Sequence, residues 1–240
     1  MNEECLCGEK TGTVCLPFRL QAIAQMVPPC DVVFDIGTDH ALVPIWLIQN
    51  NRCQKAVAAD VRPGPLDRAQ KNINRYQAQA RVQTILTDGL TGLSPGQDDV
   101  VILAGLGGHE IMRIIGKTPA PCSTLVIQAM KSLPELRSFL YQKGYRIQEE
   151  RLVFEKRHFY PILHVKWDGI PETLDGLKAW VGPVLLEKKP PLLAEYLSHL
   201  RRQMLRQVRG NPALADIIDE VGTTLEALME EKQDESIEKG

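Results

Sequence analysis

The hydrophobic positions between residues 31 and 166 follow two alternating spacings. Short apolar runs rich in Val and Ile predict strands at residues 32–36, 56–60, 82–86, 100–104 and 124–128. Longer amphipathic stretches between them predict helices near residues 41–50, 65–76, 109–116 and 134–143. Strands that alternate with helices are typical of βαβ units, so this pattern predicts a doubly wound α/β fold on a parallel sheet.

Two more extended runs follow, at residues 145–154 and 159–167. Residues 155–158 are too short a connection for a parallel crossover, so the two runs are predicted to form an antiparallel hairpin. A parallel sheet that ends in such a hairpin favours the class I methyltransferase version of the Rossmann-like fold over the all-parallel dehydrogenase version.

The C-terminal part of the chain changes to a helical spacing of apolar residues. The first apolar seam consists of Leu193, Leu197, Leu200, Met204 and Val208, and the second of Leu214, Ile218, Val221, Leu225 and Leu228. Residues 210–212 break the helix between them, so an antiparallel helical hairpin is expected. The predicted divisions are a flexible N-terminal segment at 1–15, an α/β domain at 16–169 and a helical domain at 170–240.

Composition limits the number of domains, the charge of the surface and the cellular location that this chain can have. The 240 residues suffice for one full core and a smaller appendage, and the net charge of -2 argues against a wholly basic, nucleic-acid-binding surface. No apolar run is long enough to span a bilayer, and the first residues lack the order of a signal peptide, so a cytoplasmic protein is expected.

The cysteines are too scattered for a disulfide framework. In a reducing compartment, the six are expected to stay as thiols. Cys5 and Cys7 with Cys15 lack a fourth ligand at a zinc-finger spacing, so no metal is expected.

The first predicted strand ends in a turn that is rich in carboxylates. Asp35, Gly37 and Asp39 lie where a sheet's carboxyl edge meets a helix N-terminus, the usual ligand site of open α/β sheets. Gly37 permits close approach of a ligand, but the turn lacks the Gly-x-Gly-x-x-Gly that cradles a pyrophosphate. Carboxylates repel phosphate and suit a ligand with an ammonium and a sulfonium group.

Two further strands end in acids at the same edge. Asp60 ends the second strand, where a carboxylate can accept both hydroxyls of a ribose. Asp88 and Gly89 follow the third strand, where a carboxylate can accept a hydrogen bond from an adenine amino group. Acids at three successive strand ends are more specific evidence for such a ligand site than a single acid would be.

A glycine-rich turn closes the fourth strand. Ala104 and Gly105 are followed by Gly107, Gly108 and His109. Glycines expose backbone carbonyl and amide groups, so this turn is predicted to form a floor where a transferred methyl group meets a planar acceptor base.

These motifs, in this order, resemble the bacterial TrmK family, which methylates N1 of adenine 22 in tRNA. The resemblance rests on residues 35–40, Gly64-Pro65, residues 88–90 and residues 104–108, and covers about residues 16–167. It extends more loosely to the C-terminal helices, which form a coiled-coil-like domain in that family. Asp60 stands where glutamate is usual in the family. The resemblance implies S-adenosylmethionine as cofactor and tRNA as partner.

The candidates for catalysis are Asp39, His40 and Gly105, the last through its backbone carbonyl and that of Ala104. A carboxylate at Asp39, together with the carbonyls of Ala104 and Gly105, is expected to stabilise the positive charge that methylation leaves on adenine. Asp39 has two alternative roles, binding the methionine ammonium group or capping the next helix. His40 either accepts a proton from the adenine amino group or orients the cofactor loop.

The remaining candidates concern the substrate. Gly107, Gly108 and His109 are expected near the base, with a solvent-facing role as the alternative for His109. His158 and Tyr160, on the hairpin, are candidates for the substrate mouth.

Arginines are the candidates for contact with tRNA phosphates. Arg202, Arg206 and Arg209 form a stripe opposite Met204, and Arg19 is another possible contact. An ordinary solvated face is the alternative for the stripe. A monomer is expected.

Competing functions remain open at this point. A methyltransferase for a small molecule or a protein fits the cofactor motifs equally well. A non-catalytic scaffold that binds S-adenosylmethionine and RNA is a second alternative, and a nicotinamide dehydrogenase is disfavoured for want of the phosphate-binding glycines.

Overall fold

The sheet of this protein is mixed and seven-stranded. A computed structural model describes residues 12–118 and 120–238, with side chains as far as residue 231. The strands are β1 (Cys30–Ile36), β2 (Cys53–Asp60), β3 (Val82–Leu86), β4 (Val100–Leu106), β5 (Thr124–Ala129), β6 (Tyr145–Glu155) and β7 (His158–Trp167). Their order is β3-β2-β1-β4-β5-β7-β6, with β1 to β5 parallel and β7 antiparallel to both neighbours. The class I methyltransferase fold is therefore confirmed.

Within the described residues, five helices belong to the unit that contains the sheet. They are α1 (Phe18–Met26), α2 (Leu42–Gln49), α3 (Pro63–Arg75), α4 (Gly108–Lys117) and α5 (Leu133–Gln142). The strand β5 is buried at every position, because it lies inside the sheet and is covered on both faces. This burial explains why the central strands appear in the sequence as continuous apolar runs.

The start of this unit differs from the expected flexible segment at residues 1–15. Val14 is buried, its N–H donates to Gln49 Oε1 at 2.9 Å, and Leu16 is also part of the core. The domain therefore begins before Leu16, whereas residues 1–11 of the predicted segment lie outside the described residues. Helix α1 was not predicted.

A buried ion pair connects α5 to β6. Arg137 is 0% exposed, and its Nη2 lies 2.8 Å from Glu150 Oε1. Removing either partner would leave an uncompensated buried charge, which typically costs about 3 to 5 kcal/mol.

The second unit begins at Leu174, four residues after the predicted boundary. It contains α6 (Gly176–Val181), α7 (Pro183–Lys188), α8 (Leu193–Gln207), a short 3₁₀ helix (Pro212–Leu214) and α9 (Ala215–Glu238), of which α6 and α7 were not predicted. A Cβ at Gly222 would lie 3.2 Å from Arg201 Nε, while Lys189 pairs with Glu231. Lys189, before the start of α8, thus contacts the later part of α9, and the middle of α8 contacts the earlier part of α9. The predicted antiparallel arrangement of α8 and α9 is therefore correct.

The cysteines partly depart from expectation. Cys15 is disulfide-bonded, whereas Cys30, Cys53 and Cys122 are free thiols. The prediction of thiols throughout is therefore wrong for Cys15, because the close approach and relative orientation of two cysteines that a disulfide needs are not revealed by chain spacing. Across residues 12–118 and 120–238, no group of three or more acidic, histidine or cysteine side chains is suited to a metal ion. No helix in that same part of the chain is long and apolar enough to cross a membrane.

Candidate active site

The predicted acids lie at the carboxyl ends of three neighbouring parallel strands. Asp35 lies near the end of β1, Asp60 ends β2, and Asp88 follows β3. Since β1 lies between β2 and β4, the chain reverses its winding direction at β1, which is where open α/β sheets bind ligands. The structure therefore places all three acids along the carboxyl edge of one sheet.

Asp35 is a buried carboxyl group at the switch point. It is 9% exposed, and loss of hydration raises its pKa from 3.8 to about 6. A hydrogen bond with the Thr38 side chain opposes part of this shift. A cationic ligand beside Asp35 would favour the ionised form.

The turn after β1 requires glycine at residue 37. Its φ is +82°, and a Cβ would lie 3.0 Å from Cδ2 of Leu106 at the end of β4. The N–H groups of Gly37 and Thr38 both donate to the carbonyl of Ala59, at 2.8 and 3.0 Å. The turn after β1 is thus held to β2 by hydrogen bonds, while the Leu106 side chain of β4 packs against Gly37.

Asp39 and His40 lie in the same turn, but Asp39 is already paired. Arg68 of α3 binds its carboxylate, with Nε 2.9 Å from Oδ1, and His40 Nε2 lies 3.2 Å from Oδ2. Asn72 donates to the His40 carbonyl at 2.9 Å. The capping role considered for Asp39 is wrong, because Ala41 is the N-cap residue of α2.

Asp60 presents one carboxylate oxygen to its own turn. It is 7% exposed, and Oδ1 accepts the N–H of Arg62 at 2.8 Å. The Nε of Arg62 also approaches Oδ1, at 3.5 Å. Both contacts involve the same oxygen, so Oδ2 can accept a hydrogen bond from a ligand.

Asp88 is bound by side chains of α4. Arg113 Nη1 donates to Oδ2 at 3.0 Å and Lys117 Nζ lies 3.6 Å from the same oxygen. The hydrogen bond from Arg113 holds the pKa of Asp88 below its usual value. Gly89 has a φ of +61°, and a Cβ there would lie 3.0 Å from Ile114 Cγ1. An adenine amino group would therefore have to share Asp88 with Arg113.

The glycine-rich turn has one open position and one crowded one. Gly105 is exposed, has a φ of +75°, and a Cβ there would meet nothing within 4 Å. At Gly108, the first residue of α4, a Cβ would lie 2.5 Å from the Ser132 carbonyl oxygen. Gly107 precedes it as the N-cap of α4, and His109 is exposed on the first turn. Gly105 is therefore an open surface at the end of β4, whereas Gly108 has a packing role.

Comparison with known proteins identifies this arrangement. Residues 16–163 match the profile of a family described as a methyltransferase domain. The tRNA (adenine(22)-N(1))-methyltransferase of Bacillus subtilis is 28% identical over 178 residues, which cover 71% of this chain and 75% of that protein. The chain belongs to the TrmK family of methyltransferases.

Solved structures of TrmK proteins have the same architecture. A candidate tRNA (m1A22) methyltransferase of Streptococcus pneumoniae, solved with S-adenosyl-L-methionine, has a TM-score of 0.79 and 27% identity, covering 88% of this chain and 99% of that one. The Mycoplasma capricolum TrmK, solved with S-adenosyl-homocysteine, has a TM-score of 0.74 and 26% identity, covering 89% and 97%.

Arg19 and Tyr160 lie together at the other half of the carboxyl edge, beyond β5. Arg19 of α1 lies with its guanidinium carbon 5.3 Å from the centre of the Tyr160 ring, on β7. Its Nη1 donates to Gln128 Oε1, at the end of β5, at 2.6 Å. His158 is exposed, with Nδ1 2.8 Å from the Lys156 carbonyl.

Sequence reasoning missed Gln128, Arg68 and Arg113, although each contacts a predicted site residue. Gln128 was included in a predicted strand, where a polar residue in an apolar run was the available signal. The two arginines lie on polar helix faces, and nothing in their spacing distinguishes them from ordinary surface residues.

The predicted arginine stripe belongs to the second unit of the chain. Arg202 and Arg206 are exposed on α8 while Met204 is buried, as the spacing predicts. Arg209 is also exposed but lies beyond Gln207, where α8 ends, so its place in a helical stripe is incorrect. The helix ends there because residues 210–212 cannot continue it.

A shallow cleft at the opposite edge of the sheet contains none of the predicted site residues. Its lining includes Asp98, Ser123, Lys166 and Trp167, which lie before β4, before β5 and at the end of β7. Its position at the amino ends of the parallel strands separates it from the acids at their carboxyl ends.

Proposed function

We propose that this chain transfers the methyl group of S-adenosylmethionine to N1 of adenine 22 in tRNA. The observation that carries the proposal is the sheet edge where the carboxylates of Asp35, Asp60 and Asp88 follow three adjacent strands beside the open Gly105. The name of the Bacillus relative supports the choice of base and position.

The donor groups at this edge fit the cofactor. Bound S-adenosylmethionine supplies a methyl group on a positively charged sulfur. Asp60 is assigned to the ribose through Oδ2, and Asp88 to the adenine amino group beside Arg113. Asp35 supplies negative charge at the switch point, where burial makes its interaction with a cation stronger than it would be in water.

The reaction depends mainly on alignment, since adenine N1 is already nucleophilic. Gly105 leaves room for a planar base at the end of β4, and the Leu106 side chain closes the turn against Gly37. Holding two reactants at near-attack distance can contribute several kcal/mol of the barrier, of the order of 7 or more in favourable cases. The carbonyls of Ala104 and Gly105 are assigned to the positive charge that develops on the base.

Asp39 and His40 are assigned to the mouth of this site. Because Arg68 offsets the charge of Asp39, Asp39 is better suited to holding His40 and the turn than to stabilising charge on the base. His40 is then the group placed to accept a proton from the adenine amino group. Replacing His40 should lower kcat more than it weakens cofactor binding, which single-turnover kinetics and calorimetry would measure.

The second unit is assigned to tRNA. Arg202 and Arg206 present two exposed positive charges on one face of α8, next to the antiparallel α9, in a coiled-coil-like arrangement. A stacked adenine cannot reach the sheet edge in place, so the base must be flipped out of the tRNA. We further propose a cytoplasmic protein, since tRNA is a cytoplasmic substrate.

Transfer of labelled methyl to unmodified tRNA transcripts tests the proposal. The methylated position is mapped by reverse-transcription arrest, because a methyl group at N1 blocks base pairing. We expect an arrest at adenine 22 that disappears with Asp35→Ala and persists with Asp31→Ala, at the opposite end of the same strand. Cofactor binding without methyl transfer to any tRNA would contradict the proposed substrate and favour a small molecule or a protein.

A further inference from the structure

Arg19 lies at the carboxyl edge of the sheet in a fixed orientation. Its Nη1 donates to Gln128 Oε1 at 2.6 Å, and its guanidinium carbon lies 5.3 Å from the centre of the Tyr160 ring. The N–H of its backbone donates to Glu155 Oε1 at 3.2 Å. Contacts with β5, β6 and β7 therefore position the side chain and the start of α1 together.

Gln128 is itself held in a single orientation. The side chain is 0% exposed, and its Nε2 donates to the Ala129 carbonyl at 3.0 Å, which directs Oε1 toward Arg19. Gln128 pairs with Ala104 across the β4 and β5 strands, and Gly105 follows directly. The Arg19 guanidinium is thus anchored one strand away from the predicted methyl-transfer point, since adjacent strands are about 4.8 Å apart.

The charge of Arg19 is not neutralised locally. In the described part of the chain, no carboxylate oxygen lies within 4.0 Å of its guanidinium, and its two side-chain partners, an amide and an aromatic ring, are uncharged. The other arginines of this edge differ, because Arg68 pairs with Asp39 and Arg113 pairs with Asp88. Apart from the Glu155 carboxylate at its backbone N–H, Arg19 has no acidic partner among the described residues, and most of its guanidinium N–H groups can bind a ligand.

We propose that Arg19 is an anion-binding residue for one of the two reactants. The ligand is an anionic oxygen, either a phosphate of the acceptor nucleotide or the carboxylate of the methyl donor. Gln128 and Tyr160 are positioning residues that preset the guanidinium, so little side-chain freedom is lost when the anion binds. The inference rests on the proposed function, because that function supplies both anions.

Replacing Arg19 by glutamine tests the site and separates the two ligands. S-adenosylhomocysteine and 5′-methylthioadenosine, which lacks the carboxylate, are titrated by calorimetry, and unmodified tRNA is titrated at several salt concentrations. If the carboxylate is the ligand, affinity for S-adenosylhomocysteine falls about 10- to 100-fold while affinity for methylthioadenosine is unchanged. If the phosphate is the ligand, tRNA affinity falls by a similar factor and the slope of its logarithm against log salt decreases by about one.

Arg75→Gln is the matched control. Arg75 also lies over a tyrosine, 5.6 Å from the ring centre of Tyr76, but α3 ends there at the opposite edge of the sheet. The two variants lose the same charge from the same type of contact. The control is expected to leave all three titrations unchanged.

Gln128→Glu distinguishes an anion site from a packing role of Arg19. A glutamate keeps the hydrogen bond from Arg19 and neutralises the guanidinium, but it loses the hydrogen bond that Gln128 Nε2 donates to the Ala129 carbonyl. Thermal unfolding of the variant is therefore measured first, so that binding is compared between folded proteins. If the proposal is correct, Gln128→Glu weakens binding of the same ligand whose binding Arg19→Gln weakens. If Arg19 has only a packing role, the Gln128→Glu protein binds both ligands as tightly as the parent protein does.

Two results would overturn the inference. One is an Arg19→Gln protein that folds and binds S-adenosylhomocysteine and tRNA as tightly as the parent, with the same salt slope. The other is parental binding by Gln128→Glu. Failure of the proposed function gives a different result, because a parent protein that binds S-adenosylhomocysteine but methylates no tRNA leaves the carboxylate arm of the test intact.

Discussion

The ionised carboxylate of Asp35 should lower the stability of the folded protein, and the same charge should bind a cationic ligand. Burial raises its pKa from 3.8 to about 6, so at pH 8 the folded state holds an ionised carboxylate in a poorly hydrated position. Asp35→Asn removes that charge while keeping the shape of the side chain. We expect the variant to be more stable than the parent at alkaline pH and to bind S-adenosylmethionine weakly or not at all.

The direction and size of the stability effect follow from linkage. A group whose folded pKa is raised contributes stability below its unfolded pKa, and that contribution is lost as the pH rises through the folded pKa. A difference of about two pKa units corresponds to about 3 kcal/mol at pH 8, and about half of it is already present at pH 5. The advantage of Asp35→Asn should therefore grow from about pH 4 to pH 7 and then level off.

Urea denaturation of both proteins at pH 5 and pH 8 measures this difference, and calorimetric titration with S-adenosylmethionine measures binding. Titration of the Asp35 carboxyl by NMR gives its pKa directly, expected at about 6. An asparagine variant whose stability relative to the parent is the same at both pH values would refute the reasoning. So would a pKa at or below the ordinary 3.8.

Three further predictions concern the site and the second unit. Asp60→Ala should weaken S-adenosylmethionine binding at least about tenfold in calorimetry, because one charge-assisted hydrogen bond is lost, and unchanged affinity would remove Asp60 from the ribose contact. Gly108→Ala should lower stability by about 1 to 3 kcal/mol in urea denaturation, since its Cβ would lie 2.5 Å from a carbonyl oxygen, whereas Gly64→Ala, with nothing within 4 Å, should not. Charge reversal at Arg202 and Arg206 should abolish tRNA retention in a filter assay at moderate salt without changing cofactor affinity, and an undiminished salt dependence would contradict their role.

The sequence alone determined the elements and the edge that carries the acids. The inner strands β1, β4 and β5 are recognisable because a parallel strand that is covered on both faces is apolar along most of its length, and the short connection at residues 155–158 excluded a parallel crossover. The positions of Asp35, Asp60 and Asp88 at strand ends follow directly, because all carboxyl ends of parallel strands meet at one edge. The two apolar seams likewise determined α8 and α9, since the spacing of three and four residues places each seam on one helix face.

Only the tertiary structure decided which of these groups has a partner and which keeps its charge. Arg68 and Arg113 lie on helices separated in sequence from Asp39 and Asp88, so no local spacing reveals that they pair. The raised pKa of Asp35 depends on what covers it, and the fixed orientation of Arg19 depends on Gln128 and Tyr160 of two different strands. Ion pairing, hydration and side-chain orientation arise from contacts between distant segments, whereas hydrophobic periodicity records only which face of each segment is buried.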